Sequence, residues 1–261
     1  MACIGQRLEG KVALVTGAGR GIGAGIARRF AREGAAVVVN YCQDETAARK
    51  VVEDIRKEGA RSLAVRCDVS NFQEAQKMVS LTIDEFQGLD ILVNNAGILR
   101  WCFLEEEDIE KWMRIIEVNL LGTMNCSRAV IAHFKKRRSG RIINCSSISG
   151  TIPDVGQSAY AASKGAIETV SRVLAGELGP YGITVNVYAP GIIVTDMTKD
   201  FIAERGHKQL DQIPLRRFGE PDDVANLVAF LASDDSSYIT GAVIPVGGGM
   251  FTVQNPWRVK P

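Results

Sequence analysis

The chain has 261 residues, a formal net charge of +1, 46% hydrophobic residues and 23% charged residues. That length suits one large α/β domain and is short for two. A charge so close to zero gives no electrostatic reason to bind nucleic acid or a membrane surface, so neither is an expected partner. Six scattered cysteines (Cys3, Cys42, Cys67, Cys102, Cys126 and Cys145) form no C-x-x-C pair, and His133 and His207 are the only histidines. A metal site is therefore not expected, and free thiols in a reducing cytosol are. The first eleven residues hold no apolar signal core and no apolar run approaches membrane-spanning length, which makes the cytoplasm the expected location.

In chain order, residues 11–15 read as a first strand and 21–33 as a helix. A second strand is expected over 35–40 and a charged amphipathic helix over 44–58, which Gly59 is placed to end. Residues 61–67 read as the third strand, and Ser70 as the cap of a helix running to Phe86. A short strand follows over 90–93, then a long helical region over 108–138. Residues 141–145 form a strand, 159–178 a helix and 183–188 a sixth strand. Two more helical patterns come next, the second opening at Pro221, and 242–246 makes the last strand. Such alternation predicts a Rossmann-like, doubly wound parallel sheet of about seven strands, with helices on both faces and ligands at the carboxyl ends of the strands. Residues 191–218 mix helix, proline and charge after a strand end, and are the expected substrate lid.

The run Thr16-Gly17-Ala18-Gly19-Arg20-Gly21-Ile22-Gly23 joins the first strand to the first helix. Backbone without side chains can approach a pyrophosphate there, and the free N–H groups of a helix start favour an anion. The spacing Gly17, Gly21, Gly23 is G-x-x-x-G-x-G rather than the common G-x-G-x-x-G. An acid at the end of the second strand would bind an unphosphorylated ribose, but Asn40-Tyr41-Cys42 stands there. Arg20, inside the turn, is placed to meet a ribose 2′-phosphate. Both features favour NADP(H), with NAD(H) as the alternative.

Ser146-Ser147 lies just past the fifth strand, and Tyr160 and Lys164 stand four apart on the next helix, so the latter two share one face. An ammonium about 5 Å away at an effective dielectric near 20 would favour phenolate by about 3 kcal/mol. That would bring a phenol from about pH 10 towards working range. Between the serines, spacing to Tyr160 favours Ser147, leaving Ser146 structural.

The whole pattern resembles the short-chain dehydrogenase/reductase family. The resemblance covers nearly the full chain and implies a set of roles. Residues 16–23 would be the cofactor turn, Asp68-Val69 the adenine-contacting pair, and Asn94-Asn95-Ala96-Gly97 the segment supporting the cofactor. Asn119, Ser147, Tyr160 and Lys164 fall where the family has its catalytic tetrad. Tyr160 would be the general acid or base, Ser147 would orient the substrate oxygen, Lys164 would bind the nicotinamide ribose, and Asn119 would hold a relay water. Pro190-Gly191, Ile193 and Thr195 would flank the nicotinamide carboxamide. The family also implies a homotetramer built on the helices near Asp108 and Ala159.

Within the family, residues 150–160 and the basic run Lys135-Lys136-Arg137-Arg138 resemble 3-oxoacyl-[acyl-carrier-protein] reductases, and Tyr181 departs from their second carrier-contacting position. Asn40-Tyr41 equally suits glucose and polyol dehydrogenases. The expected partner is thus a small carbonyl or alcohol substrate, carrier-bound in the first case. The tail, 251–261, extends beyond the usual end of the acyl-carrier reductases and is expected to cross an oligomer interface or border a neighbouring active site. A serine hydrolase would need a G-x-S-x-G elbow, which is missing. A nucleotide-sensing binding protein is the non-enzyme alternative.

Overall fold

A computed structural model of the chain describes residues 6–253 and 256–258. Seven strands form one sheet in the order β3-β2-β1-β4-β5-β6-β7, and every pairing is parallel. The strands are β1 (Val12–Val15), β2 (Ala36–Tyr41), β3 (Ser62–Arg66), β4 (Ile91–Asn94), β5 (Gly140–Cys145), β6 (Ile183–Pro190) and β7 (Val243–Val246). Between them run α1 (Gly21–Arg32), α2 (Glu45–Lys57), α3 (Phe72–Phe86), α4 (Ile109–Ile116), α5 (Gly122–Arg137), α6 (Ser158–Leu178), α7 (Lys199–Leu210) and α8 (Pro221–Ala232).

Strand periodicity sends alternate residues to opposite faces. Ala13 and Val15 join one buried cluster with residues of α1, α2 and α8. Val12 and Leu14 join the other with residues of α3, α5 and α6. Two cores, one on each face, account for why the strands read as continuous apolar runs: parallel strands covered on both sides have no solvent face. Close packing fixes how the layers sit. A Cβ on Gly25 of α1 would lie 2.9 Å from Pro221 Cβ at the start of α8.

The strand order reverses direction between β1 and β4, and a crevice opens there at the carboxyl ends. Most element ends fall within two residues of expectation, and Gly59 ends α2 at φ +89°. Two differ. Asn71, not Ser70, caps α3, accepting from the Glu74 N–H at 3.1 Å, because Ser70 donates to Asp68 Oδ1 at 2.7 Å instead. The long helical region is also interrupted. Residues Glu117–Leu121 widen into a π-helical turn between α4 and α5. The extra residue in that turn repositions Asn119, a device found often at functional sites.

Candidate active site

The turn after β1 is held by hydrogen bonds that the sequence does not announce. Asn40 is buried, and its Oδ1 accepts from the Gly17 N–H at 3.1 Å. Its Nδ2 donates to the carbonyls of Tyr41, Val65 and Cys67 at 3.2–3.3 Å. Asn40 therefore holds the cofactor turn from beneath; its amide is already engaged and is not free for a ribose. Thr16 Oγ1 accepts from the N–H groups of Asn95 and Ala96, each at 3.0 Å, bolting the segment after β4 to the same turn. Asn95 Nδ2 donates to the Thr16 and Gly17 carbonyls, and Asn95 Oδ1 accepts from the buried Tyr188 hydroxyl at 3.0 Å.

Glycine is required in the turn for two reasons. Gly17 has φ +61°, and a Cβ there would sit 2.8 Å from Ala96 Cα. Gly23 would place a Cβ 2.5 Å from the Gly17 carbonyl oxygen. Gly23 thus lies behind the turn, permitting close packing, whereas Gly17, Arg20, Gly21 and Ile22 line the crevice. Arg20 precedes α1 and makes no side-chain cap, so no side chain of the cap residue covers the first-turn N–H groups. The cradle fits a pyrophosphate: side-chain-free backbone, a helix start and no acid in the first turn of α1.

At the other end of the crevice, Lys164 is buried on α6 and its Nζ donates to the Cys145 carbonyl at 2.8 Å. The same ammonium lies 5.5 Å from the centre of the Tyr160 ring. Ser147, just beyond β5, hydrogen-bonds the Tyr160 phenol. Ser146 points away: its Oγ donates to Glu168 Oε1 at 2.8 Å and to the Lys164 carbonyl at 3.1 Å.

Burial pushes the Tyr160 phenol up, and Lys164 with the Ser147 hydrogen bond only partly opposes this. The expectation of a lowered phenol is corrected for the protein without cofactor. The Coulomb attraction to Lys164 is present, but loss of water around the phenolate outweighs it. An acid that stays protonated implies a signed pH profile. Carbonyl reduction should hold at neutral pH and fall as pH rises through the Tyr160 pKa. Alcohol oxidation should rise over the same range, as initial rates in both directions would test.

Asn119 sits fully buried in the π turn. Its Oδ1 accepts from the Ile98 N–H at 2.8 Å, and its Nδ2 donates to the Ile98 carbonyl at 3.0 Å and Ser163 Oγ at 3.1 Å. Ser163 Oγ in turn donates to the Tyr160 carbonyl at 2.7 Å. Asn119 thus lies behind the crevice wall and positions the loop after β4 against the Tyr160 helix. Gly97 completes the junction, since a Cβ there would lie 3.3 Å from Asn119 Oδ1 and 3.5 Å from Lys164 Nζ.

Ser147, Tyr160, Lys164 and the glycine turn all line one cavity of about 1070 Å³. That is large enough for a dinucleotide with substrate, at the place where doubly wound folds bind ligands. The family described as enoyl-(acyl carrier protein) reductase matches residues 17–251. The chain belongs to the short-chain dehydrogenase/reductase family. It is 44% identical over 241 residues to the 3-oxoacyl-[acyl-carrier-protein] reductase FabG of Staphylococcus epidermidis strain RP62A, covering 92% of this chain and 99% of the relative. It is 44% identical over 244 residues to the 3-oxoacyl-[acyl-carrier-protein] reductase of Synechocystis sp. PCC 6803, covering 93% and 98%. Among solved structures, a putative short-chain alcohol dehydrogenase from Sinorhizobium meliloti 1021 superposes with a TM-score of 0.91 at 35% identity, covering 95% of this chain and 98% of that one. As a short-chain dehydrogenase/reductase, the protein is an oxidoreductase acting on the CH–OH/C=O pair.

The remaining residues expected from the family motifs, Asp68, Val69, Asn95, Ala96, Gly97, Pro190, Gly191, Ile193 and Thr195, all line the same cavity. Several lining residues carried no sequence signal. Arg114 arrives from α4 and pairs with Asp68 at 2.6 Å; although burial pushes that carboxyl up, the Ser70 hydrogen bonds together with Arg114 hold it below its usual range. Trp101, Phe201, Met250 and Phe251 line the cavity as well. Only the folded chain brings these together, from three separate segments.

Proposed function

We propose that this short-chain dehydrogenase/reductase is an NADP(H)-dependent ketoreductase, interconverting a 3-oxoacyl thioester and its 3-hydroxy form. The observation that carries the reading is the convergence of Ser147, Tyr160 and Lys164 on the cavity that begins at the glycine turn. When bound, the nicotinamide supplies or removes a hydride at the carbonyl carbon. The chain supplies everything else. Ser147 donates to the carbonyl oxygen and fixes its direction, and Tyr160 delivers a proton to that same oxygen. Lys164 keeps one N–H on the Cys145 carbonyl, which leaves two for the nicotinamide ribose hydroxyls. Asn119 acts as a positioning residue.

The preference for NADP(H) is supported by Arg20, whose side chain is 73% exposed and touches Asp196 only at 4.0 Å. Asp44, the first acid after β2, is engaged in capping α2 by accepting from the Ala47 N–H at 2.9 Å. The curated relatives named as 3-oxoacyl-[acyl-carrier-protein] reductases support the substrate class. Within the basic run, Lys136 is exposed, and Arg138, also exposed, donates to the Pro180 carbonyl at 2.9 Å. Lys135 lies 4.4 Å from the centre of the Tyr181 ring, and Arg137 pairs with Asp90 at 2.7 Å.

Residues 193–219 form an excursion whose ends meet in an Ile193–Gly219 bridge, which suits a lid over the cavity. Ile109, Met113 and Leu121 leave apolar surface exposed along α4 and the π turn, in keeping with a homotetramer. Within the chain, the tail is tied to the lid region by Arg216 donating to the Pro256 carbonyl at 2.9 Å. Residues 254–255 and 259–261 of that tail lie outside the described residues. No helix among the described residues is long and apolar enough to cross a membrane, and the expected site of action is the cytoplasm.

The test is consumption of NADPH with acetoacetyl thioester. NADPH should be preferred to NADH by at least tenfold in kcat/KM. Arg20→Glu should erase most of that preference, since a charge contact to the 2′-phosphate becomes a repulsion. Equal use of both cofactors by the unaltered protein would overturn the cofactor assignment. No turnover of the thioester would overturn the substrate class.

A further inference from the structure

We infer that the substrate end of the cavity is an aromatic box that selects 3-oxoacyl substrates whose group beyond the ketone is bulky and flat, aromatic or cyclic. The inference rests on the ketoreductase reading above and names the part of the substrate that reading leaves open.

Trp101 comes from the segment after β4 and Phe201 from α7. Their rings stack with centroids 5.7 Å apart and planes within 12° of parallel. Both rings line the cavity that Tyr160 and Ser147 line. Trp101 is nevertheless 41% exposed. An indole that lines a cavity and keeps so much open surface is placed to be covered by a ligand.

A third wall comes from the far end of the chain. Phe251 lines the same cavity with φ +60°, a left-handed backbone that a bulky side chain rarely adopts. It follows the run Gly247-Gly248-Gly249, in which Gly248 and Gly249 also have positive φ and press on Ile213 and Pro214. The Leu215 N–H donates to the Gly248 carbonyl at 3.1 Å, and the next residue, Arg216, is itself left-handed at φ +55°. Left-handed backbone at two non-glycine residues, Arg216 and Phe251, in segments joined by the Leu215–Gly248 hydrogen bond, marks a place where side-chain direction matters. Phe251 thus belongs to the lining of the cavity that also holds Trp101 and Phe201.

Met197 and Ile152 add apolar lining, while Gln157, Gln209 and Gln212, with Asp154, Asp196 and Thr198, supply polar side chains. Apolar walls with a few amide groups fit a substrate carrying one or two carbonyls on an apolar body. The flat faces of the Trp101 and Phe201 rings favour a flat group over a linear chain of the same size.

The experiment compares ethyl benzoylacetate, ethyl acetoacetate and glucose as substrates for the full chain, with Trp101→Ala, Phe201→Ala and the conservative Trp101→Phe. The unaltered protein should reduce benzoylacetate with a kcat/KM at least tenfold above acetoacetate, and should leave glucose unoxidised. Trp101→Ala and Phe201→Ala should each lower the benzoylacetate-to-acetoacetate ratio by at least tenfold, chiefly through KM, and Trp101→Phe should restore most of it. NADPH affinity, followed by fluorescence titration, reports whether each variant is folded. Reduction of acetoacetate with a ratio that these variants leave unchanged would overturn the box while sparing the ketoreductase reading. Preferred oxidation of glucose, or no turnover of either ester, would overturn both.

Discussion

Tyr160→Phe should lower kcat for carbonyl reduction by roughly 10²–10⁴-fold, about 3–5.5 kcal/mol in the activation barrier, while leaving NADPH affinity within about threefold. The ring, its packing and its helix are unchanged by this substitution, and only the proton donor is removed. Ser147 can still polarise the carbonyl oxygen, but its hydroxyl already accepts from the Ser149 N–H at 3.1 Å and has no base behind it. Single-turnover kinetics with a fluorescence titration of cofactor separate the two effects. A kcat within tenfold of the unaltered protein would remove Tyr160 from proton transfer.

The second large effect is steric. Gly23→Ala should destabilise the fold by about 1–3 kcal/mol and weaken cofactor binding by at least tenfold. Its Cβ would lie 2.5 Å from the Gly17 carbonyl oxygen and 2.5 Å from Asn95 Nδ2. Neither neighbour can yield cheaply. The first is backbone of the cofactor turn, and the second is held by the Thr16 and Gly17 carbonyls. Relief must come from shifting the turn itself. Gly19→Ala on the same turn is the control: its Cβ would meet Ala48 at an ordinary 3.4 Å, so its melting temperature should change little. Equal loss of stability in the two variants would count against close packing at Gly23 as the cause.

The fold was largely legible because its signals are local. Buried parallel strands leave apolar runs, amphipathic helices separate them, and Gly59 and Pro221 mark helix boundaries where the structure has them. Ser70 misled because a hydroxyl at a helix start can serve either the helix or a neighbouring carboxylate, and Asp68 took it. The π turn at Asn119 was illegible for another reason. One added residue in a helix leaves no mark on hydrophobic spacing, and the turn depends on Ile98 and Ser163 from other elements.

The sequence by itself determined the alternating architecture, the glycine turn and the shared face of Tyr160 and Lys164, since each follows from short-range geometry. It also separated Ser147 from Ser146 by spacing. The tertiary structure alone decided how these parts act. It turned Asn40 inwards to hold the cofactor turn, and set Arg114 against Asp68. Burial reversed the expected direction of the Tyr160 phenol, a desolvation effect that no count of neighbouring charges reveals. The substrate end was decided last and most completely by the fold. Trp101 and Phe201 stack across a separation of 100 residues, and Phe251 lines the same cavity; long-range convergence of that kind has no periodicity to read.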